Sequence, residues 1–482
     1  MPTHTPTPVA TTPPLREGWM ARAALRCAAW AERWFPDAYV FAVLGVIVVA
    51  VSALAHGATA QATVGAFGDG FWTLIPFTMQ MVFVVIGGYV VATAPVVARL
   101  IDALARFPRS GRGAVCFVAL VGMLSSLVSW GFSLVFAGLL VRALGRRDDL
   151  DMDYRAAGAA AYLGLGAVWA MGLSSSAAQL QANPASMPPG LIEITGVLPF
   201  TQTILLWQSI ALTASLIVVS LAMCWWTAPR GASARTAREF IDTTQVATPA
   251  IPPRSRPGEW LEYSPVLTIL LSLLAFGWLA REFASKPAVS AIASLNTYNF
   301  LFLALGLLLH WRPRSFLDAV ARAVPGTTGV LIQFPLYGGI AMMLTAATGD
   351  GGQTLAHRLS SAFVHVASTD SFAVVMGAYS AVLGFFVPSG GGKWIIEAPY
   401  VMQAANELKV HLGWAVQVYN AAEALPNLIN PFWMLPLLGV LGLKARDIVG
   451  FTFMQLLVHI PLVLGLLWLL GNTLTYQPPV MT

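Results

Sequence analysis

Charge is scarce in this chain. Only 10% of its 482 residues are Asp, Glu, Lys or Arg, against 57% hydrophobic, whereas a soluble domain carries ~25% charged residues. An ordinary cytosolic enzyme is thereby excluded, and the apolar excess, spread along the whole length, makes lipid the solvent. Cysteine is nearly absent. Cys27, Cys116 and Cys224 lie far apart, in or beside apolar stretches, with no CxxC or Cys/His spacing, so they read as free thiols and no metal is expected. The pattern of a secretory signal is missing too. The first apolar run, Tyr39 to Ala55, follows a Pro36-Asp37 helix start and no small-residue cleavage site, so nothing is expected to be cleaved. The net charge of +5 does not point to nucleic acid, because the basic residues sit in short runs between apolar segments instead of on one patch.

Those runs carry topology. Residues 1–35 read as a Thr/Pro-rich cytoplasmic tail and an interfacial helix, with Arg22, Arg26 and Arg33 among Trp19, Trp30 and Trp34. Apolar spans follow at about 72–95, 205–227, 264–280, 298–311, 326–347 and 450–471. Of the 27 Lys and Arg, Arg281, Lys286, Arg358 and Lys409 fall in loops on one side, Lys393 stands apart, and all the others fall on the opposite side. Positive charge marks the cytoplasm. The N-terminus is therefore expected inside and the C-terminus outside.

The stretch 114–144 lies between two cytoplasmic loops, so it must turn back. Each arm has about 14 residues, roughly 20 Å of helix against a hydrocarbon core of ~30 Å, with the turn at Ser129 to Ser133. The same logic makes 372–405 a second hairpin with both ends outside, turning at Pro388-Ser389-Gly390-Gly391-Gly392-Lys393. There proline removes a donor and the glycines forfeit helix propensity. Unwound backbone at membrane depth is tolerated only against protein or a wet cavity. An interrupted helix follows each hairpin: 156–183, broken at Gly172 to Ser176, and 412–443, broken at Pro426 to Pro431. Span, hairpin, broken helix and span thus recur with opposite orientation in 36–227 and 263–482, joined by a cytoplasmic linker over 228–262. The expected fold is an all-α polytopic membrane protein, an inverted repeat with two re-entrant hairpins and two broken helices. Secondary transporters carry this signature.

Broken helices expose N–H groups at one half-helix start and carbonyls at the other half's end, so an anion and a cation are held together without buried countercharges. The candidate substrate-binding residues are Ser174, Ser175, Ser176, Ser389, Gly390, Gly391, Gly392, Lys393, Asn427 and Asn430. The candidate ligands of a coupling cation are Ser129, Gly131, Ser133, Glu397, Glu423 and Asn427. The plainer reading is that the serines and asparagines only satisfy backbone freed by the breaks; recurrence of the breaks favours function. Lys393 and Glu397, four apart, share a helix face and either neutralise each other or leave Lys393 to a substrate. Glu423 has no evident partner, and is as much a protonatable group as a hydrogen-bonded carboxyl. His459 is expected to bond a neighbouring helix, while His310, His365 and His411 sit near span ends where water reaches them. Trp130, Trp169, Trp394, Trp414 and Trp433 surround the breaks, either lining a pocket or filling core. No cofactor is expected. The coupling ion is Na+ or H+: neutral oxygens favour sodium, and Glu397 and Glu423 permit protons. A hydrolase would need a nucleophile and base at matching depth, and none is evident. Saturable, gradient-dependent uptake would separate a carrier from an anion channel.

The segments Ala31 to Asp37, Trp130-Gly131-Phe132, Pro388 to Trp394, Asn430-Pro431-Phe432-Trp433 and Gly442-Leu443-Lys444-Ala445-Arg446-Asp447 resemble the bacterial short-chain fatty acid transporter family over nearly the whole chain. The architecture is similar to the wider ion transporter superfamily. The resemblance implies nine spans plus two hairpins, a homodimer in the bacterial inner membrane, and cation-coupled uptake of a small monocarboxylate such as butyrate or acetoacetate. A dicarboxylate or other small organic anion is the alternative. The chain departs from the family's pattern at Ala170-Met171, in place of His-Gly, and at Glu397, Pro426 and Asn430, in place of Gln, Thr and Gln. All of these sit at the expected site.

Overall fold

A computed structural model describes residues 19–34, 38–73, 75–182, 184, 189–243, 253–355, 358, 365–386 and 390–479. Among these, regular structure is helical apart from one isolated bridge between Thr348 and Thr354. The principal helices are α1 (Trp19–Trp34), α2 (Ala38–Ala55), α3 (Ala60–Thr73), α4 (Ile75–Ala92), α5 (Pro95–Leu104), α6 (Gly111–Val128), α7 (Trp130–Leu144), α8 (Tyr154–Leu163), α9 (Ser176–Ala182), α10 (Trp207–Thr227), α11 (Pro265–Ser285), α12 (Leu295–His310), α13 (Thr328–Ala346), α14 (Phe372–Phe386), α15 (Gly390–Glu407), α16 (Leu412–Asn427), α17 (Leu435–Leu441) and α18 (Ala445–Gly471).

Six described helices are long and apolar enough to cross a bilayer; Thr78–Ala92 and Pro95–Leu104, bent by 70°, make a seventh span if counted together. Pro95 opens α5 and lacks the N–H that would continue α4. Shorter apolar helices, Ala42–Ala55 and Leu295–His310 among them, fall below that length, so length alone gives fewer spans than the nine implied by resemblance. Outward-facing Leu273, Leu274, Val218 and Leu469 are more than half exposed. Helices apolar all round, with such side chains on the outside, fit a lipid surround. The chain is a multi-pass membrane protein.

Bonds between loops sort the molecule into two ends. At one end the Arg147 guanidinium donates to the carbonyls of Ala105 (2.9 Å) and Pro108 (2.7 Å), and Arg112 Nε donates to Ala228 O at 2.9 Å. There too Arg142 reaches Val440 O at 3.3 Å, and Asp153 accepts from Arg235 N at 3.0 Å. At the other end Asp350 N donates to His56 O at 2.9 Å, Asn406 Nδ2 to Ile194 O at 2.6 Å, and Gln208 Nε2 to Thr473 Oγ1 at 3.0 Å. Helices α10 and α18 run between the two ends. Both ends of the α6–α7 hairpin lie at the first, because Arg147 after α7 holds the loop before α6. Both ends of the α14–α15 hairpin lie at the second, where Thr369 Oγ1 donates to Leu408 O at 2.9 Å.

The first hairpin turns on a single residue. Ser129 leaves the helix at φ −152° and ψ 112°, and its Oγ caps α7 by accepting from Phe132 N. Ser133 Oγ donates to Gly122 O at 2.7 Å and clamps the arms together. Gly131 lies flat on α4; a Cβ there would stand 2.7 Å from Val84 O. In the second hairpin Pro388 and Ser389, the start of the expected turn, lie outside the described residues. Gly390 to Lys393 correct the expectation, because they already form the first turn of α15 instead of unwound backbone. The Tyr379 and Tyr400 hydroxyls join the arms at 3.1 Å.

The first broken helix follows α8 through a π-helical stretch, Gly164–Val168, and a 3-10 turn, Trp169–Met171, to the break at Gly172 and then α9. The second runs through α16 to Asn427, unwinds, and resumes as a 3-10 turn, Pro431–Met434, before α17. The first interruption covers Gly172 to Ser175; the second covers Leu428 to Asn430, with Pro426 still inside α16. The expected interfacial helix, α1, packs on α18 and keeps Arg22, Arg26, Arg33 and its three tryptophans exposed. His459 bonds Ser220 of α10 at 3.0 Å, as its position suggested. His310 and His411 correct the expectation of solvated imidazoles. Both are buried; His310 lies 2.8 Å from both Ser315 Oγ and Val90 O, and His411 Nδ1 caps α16 by accepting from Trp414 N. Cys116 and Cys224 are free thiols.

Single cysteines placed in a background without native cysteines test the two ends. Ser110→Cys and Arg146→Cys should label with an impermeant maleimide from one face of the membrane, and Asp370→Cys and Lys409→Cys only from the other. Labelling of one hairpin's two ends from different faces would refute the paired-end arrangement.

Candidate functional site

One buried cluster brings together a lysine and two glutamates. Lys393, three residues into α15, is completely buried, and Glu397 and Glu423 are 0% and 1% exposed. The Lys393 ammonium stands 2.7 Å from Glu423 Oε2 and 3.4 Å from Glu397 Oε1. Its well-formed hydrogen bonds go to Ser380 O and Ser380 Oγ, both at 2.8 Å, and Ser380 Oγ in turn donates to Glu397 Oε2 at 2.9 Å. The ammonium also lies 4.6 Å from the Tyr419 ring centre, a cation–π contact. Gly384 makes room for the group: a Cβ there would come within 2.9 Å of Glu423 Oε2.

Sequence spacing explains how α16 presents its share. Gln417, Asn420, Glu423 and Asn427 recur every three or four residues and so form one polar stripe on an otherwise apolar helix. All four are buried. Asn420 Oδ1 accepts from Ser175 Oγ at 3.0 Å, and Tyr162 OH donates to the Asn427 carbonyl at 2.8 Å, so both link the stripe to the first broken helix. Tyr419 OH donates to Gly390 O at 2.8 Å, and the Trp169 ring packs where a Gly390 Cβ would be. Tip two, broken helix one and α16 therefore meet.

The neighbourhood leaves an unusual set of polar atoms unmatched. Glu423 Oε1, both Asn427 amide atoms, Gln417 Nε2 and the indole nitrogens of Trp169 and Trp394 are buried without a hydrogen-bond partner, whereas Glu397 Oε1 and Glu423 Oε2 have only their ion pairs with Lys393. Buried polar groups are nearly always paired. Donors and acceptors are thus both available. Glu423, which showed no partner in sequence, has one in Lys393, because α15 folds back beside α16; Lys393 serves two carboxylates instead of Glu397 alone.

Other expected residues fall differently. Ser174 Oγ donates to Ser126 O at 2.7 Å and accepts from Trp130 N at 3.0 Å, which ties the first break to the first hairpin tip. Ser175 caps α9 through Ala178 N. Ser176 is buried, Asn430 Nδ2 donates to Phe385 O at 3.3 Å, and Gly390 to Gly392 open α15. Ser389 lies outside the described residues. Ser129, Gly131 and Ser133 are occupied in holding the first hairpin, where the Trp130 and Trp433 rings meet edge to face at 5.1 Å. Trp394 stands 4.6 Å from Tyr419, and Trp414 is buried in the core. Ser380 and Tyr419 escaped sequence reasoning because they reach the cluster from neighbouring helices. The stripe on α16 did carry a readable signal.

Residues 19–470 match the family model for short chain fatty acid transporters. The chain belongs to this family. A relative from Escherichia coli K12, provisionally named a short-chain fatty acid transporter, is 33% identical over 92% of this chain and 97% of its own. One from Haemophilus influenzae, named the same way, is 29% identical over 91% and 97%. Two solved structures are more distant: Neisseria gonorrhoeae MtrF, described with a class of antimetabolite efflux pumps (14% identity, TM-score 0.48, covering 94% and 97%), and the Alcanivorax borkumensis YdaH transporter (18%, 0.47, 91% and 98%). Likeness of that degree says nothing of substrate or mechanism. Membership makes this chain a short-chain fatty acid transporter by family and not an enzyme.

In this family member the charge cluster predicts an order of stability. Lys393→Met strands two buried carboxylates and should cost ~3–5 kcal/mol, seen as a large fall in the thermal midpoint in detergent. Glu423→Gln leaves the neutral pair Lys393–Glu397 and should cost much less. The reverse order would show that Lys393 does not hold the cluster.

Proposed function

We propose that the chain carries a short-chain monocarboxylate across a bacterial cytoplasmic membrane together with one monovalent cation, by alternating access. The observation that supports this reading is the charge count of the buried cluster. One ammonium faces two carboxylates, so with both glutamates ionised the group carries one uncompensated negative charge in a medium where that costs several kcal/mol. A single proton or a single sodium ion removes it. The proton is the first reading, since it needs no coordination shell. Sodium is the second, supported by Asn427 Oδ1 and, one turn away on α16, Glu423 Oε1, both without a hydrogen-bond partner.

The substrate carboxylate needs donors, and its short apolar tail needs an apolar wall. Asn427 Nδ2, Gln417 Nε2 and the Trp169 and Trp394 indoles supply donors without acceptors, and the same aromatic faces supply the wall. Hairpins opening to opposite ends fit an inverted arrangement in which two half-sites exchange exposure. Counting of basic loops puts the end held by Arg147, Arg112 and Arg142 in the cytoplasm.

Proteoliposome uptake of radiolabelled butyrate tests the reading. Uptake should rise with an inward proton gradient at fixed sodium; dependence on sodium at fixed pH instead would select the second reading. Glu423→Gln should abolish gradient-driven accumulation while exchange of internal for external butyrate persists, because the neutral cluster no longer takes up a cation. Asn427→Ala should lose both by at least about tenfold, the loss expected when a hydrogen bond to a charged group is removed. Gradient-driven uptake at the wild-type rate in Glu423→Gln would remove the cluster from coupling.

A further inference from the structure

A cavity lies away from this cluster. A space of about 950 Å³ opens between α4, α7, α13, α17 and the start of α18, and none of the residues of the Lys393 cluster lines it. Four cations do: Arg142, Arg322, Lys444 and Arg446. No carboxylate is among the described lining residues, so the four cations face the space without an acid in its described wall. Arg142 Nη1 is fixed by Val440 O at 3.3 Å, yet the Nε atoms of Arg142 and Arg446 are buried and have no acceptor. Unmatched guanidinium donors in a pocket without acids call for an oxyanion.

The rest of the wall is mostly apolar, with Val135, Leu139, Ile332, Leu435 and Leu438, and is interrupted by Tyr39, Tyr89, Thr328 and Gln333. The ligand is therefore amphipathic, an anionic head on a hydrocarbon chain. Its size follows from the volume, which is at the upper end of the ~300–1,000 Å³ range of small-molecule pockets. A four-carbon acid would fill only a fraction of it.

We propose that this cavity is a second carboxylate site, separate from the Lys393 cluster, which binds an acyl anion longer than a short-chain acid, its head on Arg142 and Arg446 and its tail along α7 and α17. The site stands whether or not the cluster transports. Gly439 gives an independent handle: it lines the cavity, and a Cβ there meets nothing within 4 Å. A large side chain at this position fills the space without removing charge.

Binding of radiolabelled octanoate to the full chain in nanodiscs, above that of empty nanodiscs, tests the proposal. The wild type should show one saturable site per chain. Arg142→Gln/Arg446→Gln should weaken it by at least about tenfold, Gly439→Phe should block it, and Asn427→Ala should leave it intact. Absence of saturable binding in the wild type, unchanged binding in both cavity variants, or loss in Asn427→Ala would overturn the assignment. Failure of butyrate uptake with octanoate binding intact would sink the carrier reading alone.

Discussion

A single ammonium buried against two carboxylates constrains everything around it. Lipid offers no water to dilute charge, so Lys393, Glu397 and Glu423 must be balanced by what the fold brings to them. That requirement fixes the approach of α15 to α16 and explains the small residues nearby. Gly384 and Gly390 stand where a Cβ would collide with Glu423 and with the Trp169 ring, and Ser380 supplies both a carbonyl and a hydroxyl to the ammonium. The packing is close because the electrostatics allow no gap.

The two hairpins answer the shared problem of unwound backbone in opposite ways. Around the first tip Ser129, Ser133 and Ser174 close a set of bonds to Phe132, Gly122, Ser126 and Trp130, with Ser126 Oγ itself left without a partner. Around the second, Glu423 Oε1, both Asn427 amide atoms and the Trp394 indole nitrogen have no hydrogen-bond partner. A region whose polar groups are already paired is a scaffold, and one whose groups are not is where a ligand lowers the free energy most.

Much of this was legible in the sequence. The distribution of arginine separated the two ends, since loops carrying Arg112, Arg142 and Arg147 do bond with one another. Pro426, Pro431 and the glycine-serine run after Trp169 marked the breaks. What sequence could not give was pairing across helices. Glu423 looked solitary because its partner lies thirty residues away on the far arm of a hairpin, and local spacing carries no information about that distance. The π-helical stretch at Gly164 was equally hidden. It answers to Gly122 O and Ser133 Oγ, which crowd the position so closely that a Cβ would lie 2.5 Å and 2.7 Å from them. Tertiary contact, not propensity, selects that turn.

Cross-packing of tips on breaks bears on how any exchange of exposure must proceed. Trp130 at the first tip meets Trp433 after the second break, and Gly390 at the second tip carries Trp169 before the first break. Each hairpin therefore rests on the broken helix of the other half. Neither tip can shift alone without opening a gap against an indole, at a cost of several kcal/mol for an aromatic side chain losing its contacts. If the halves alternate, the inexpensive route is concerted, with each tip and its indole partner moving as a unit. The polar stripe of α16, bonded to broken helix one through Ser175 and Tyr162, lies between those units and would feel both.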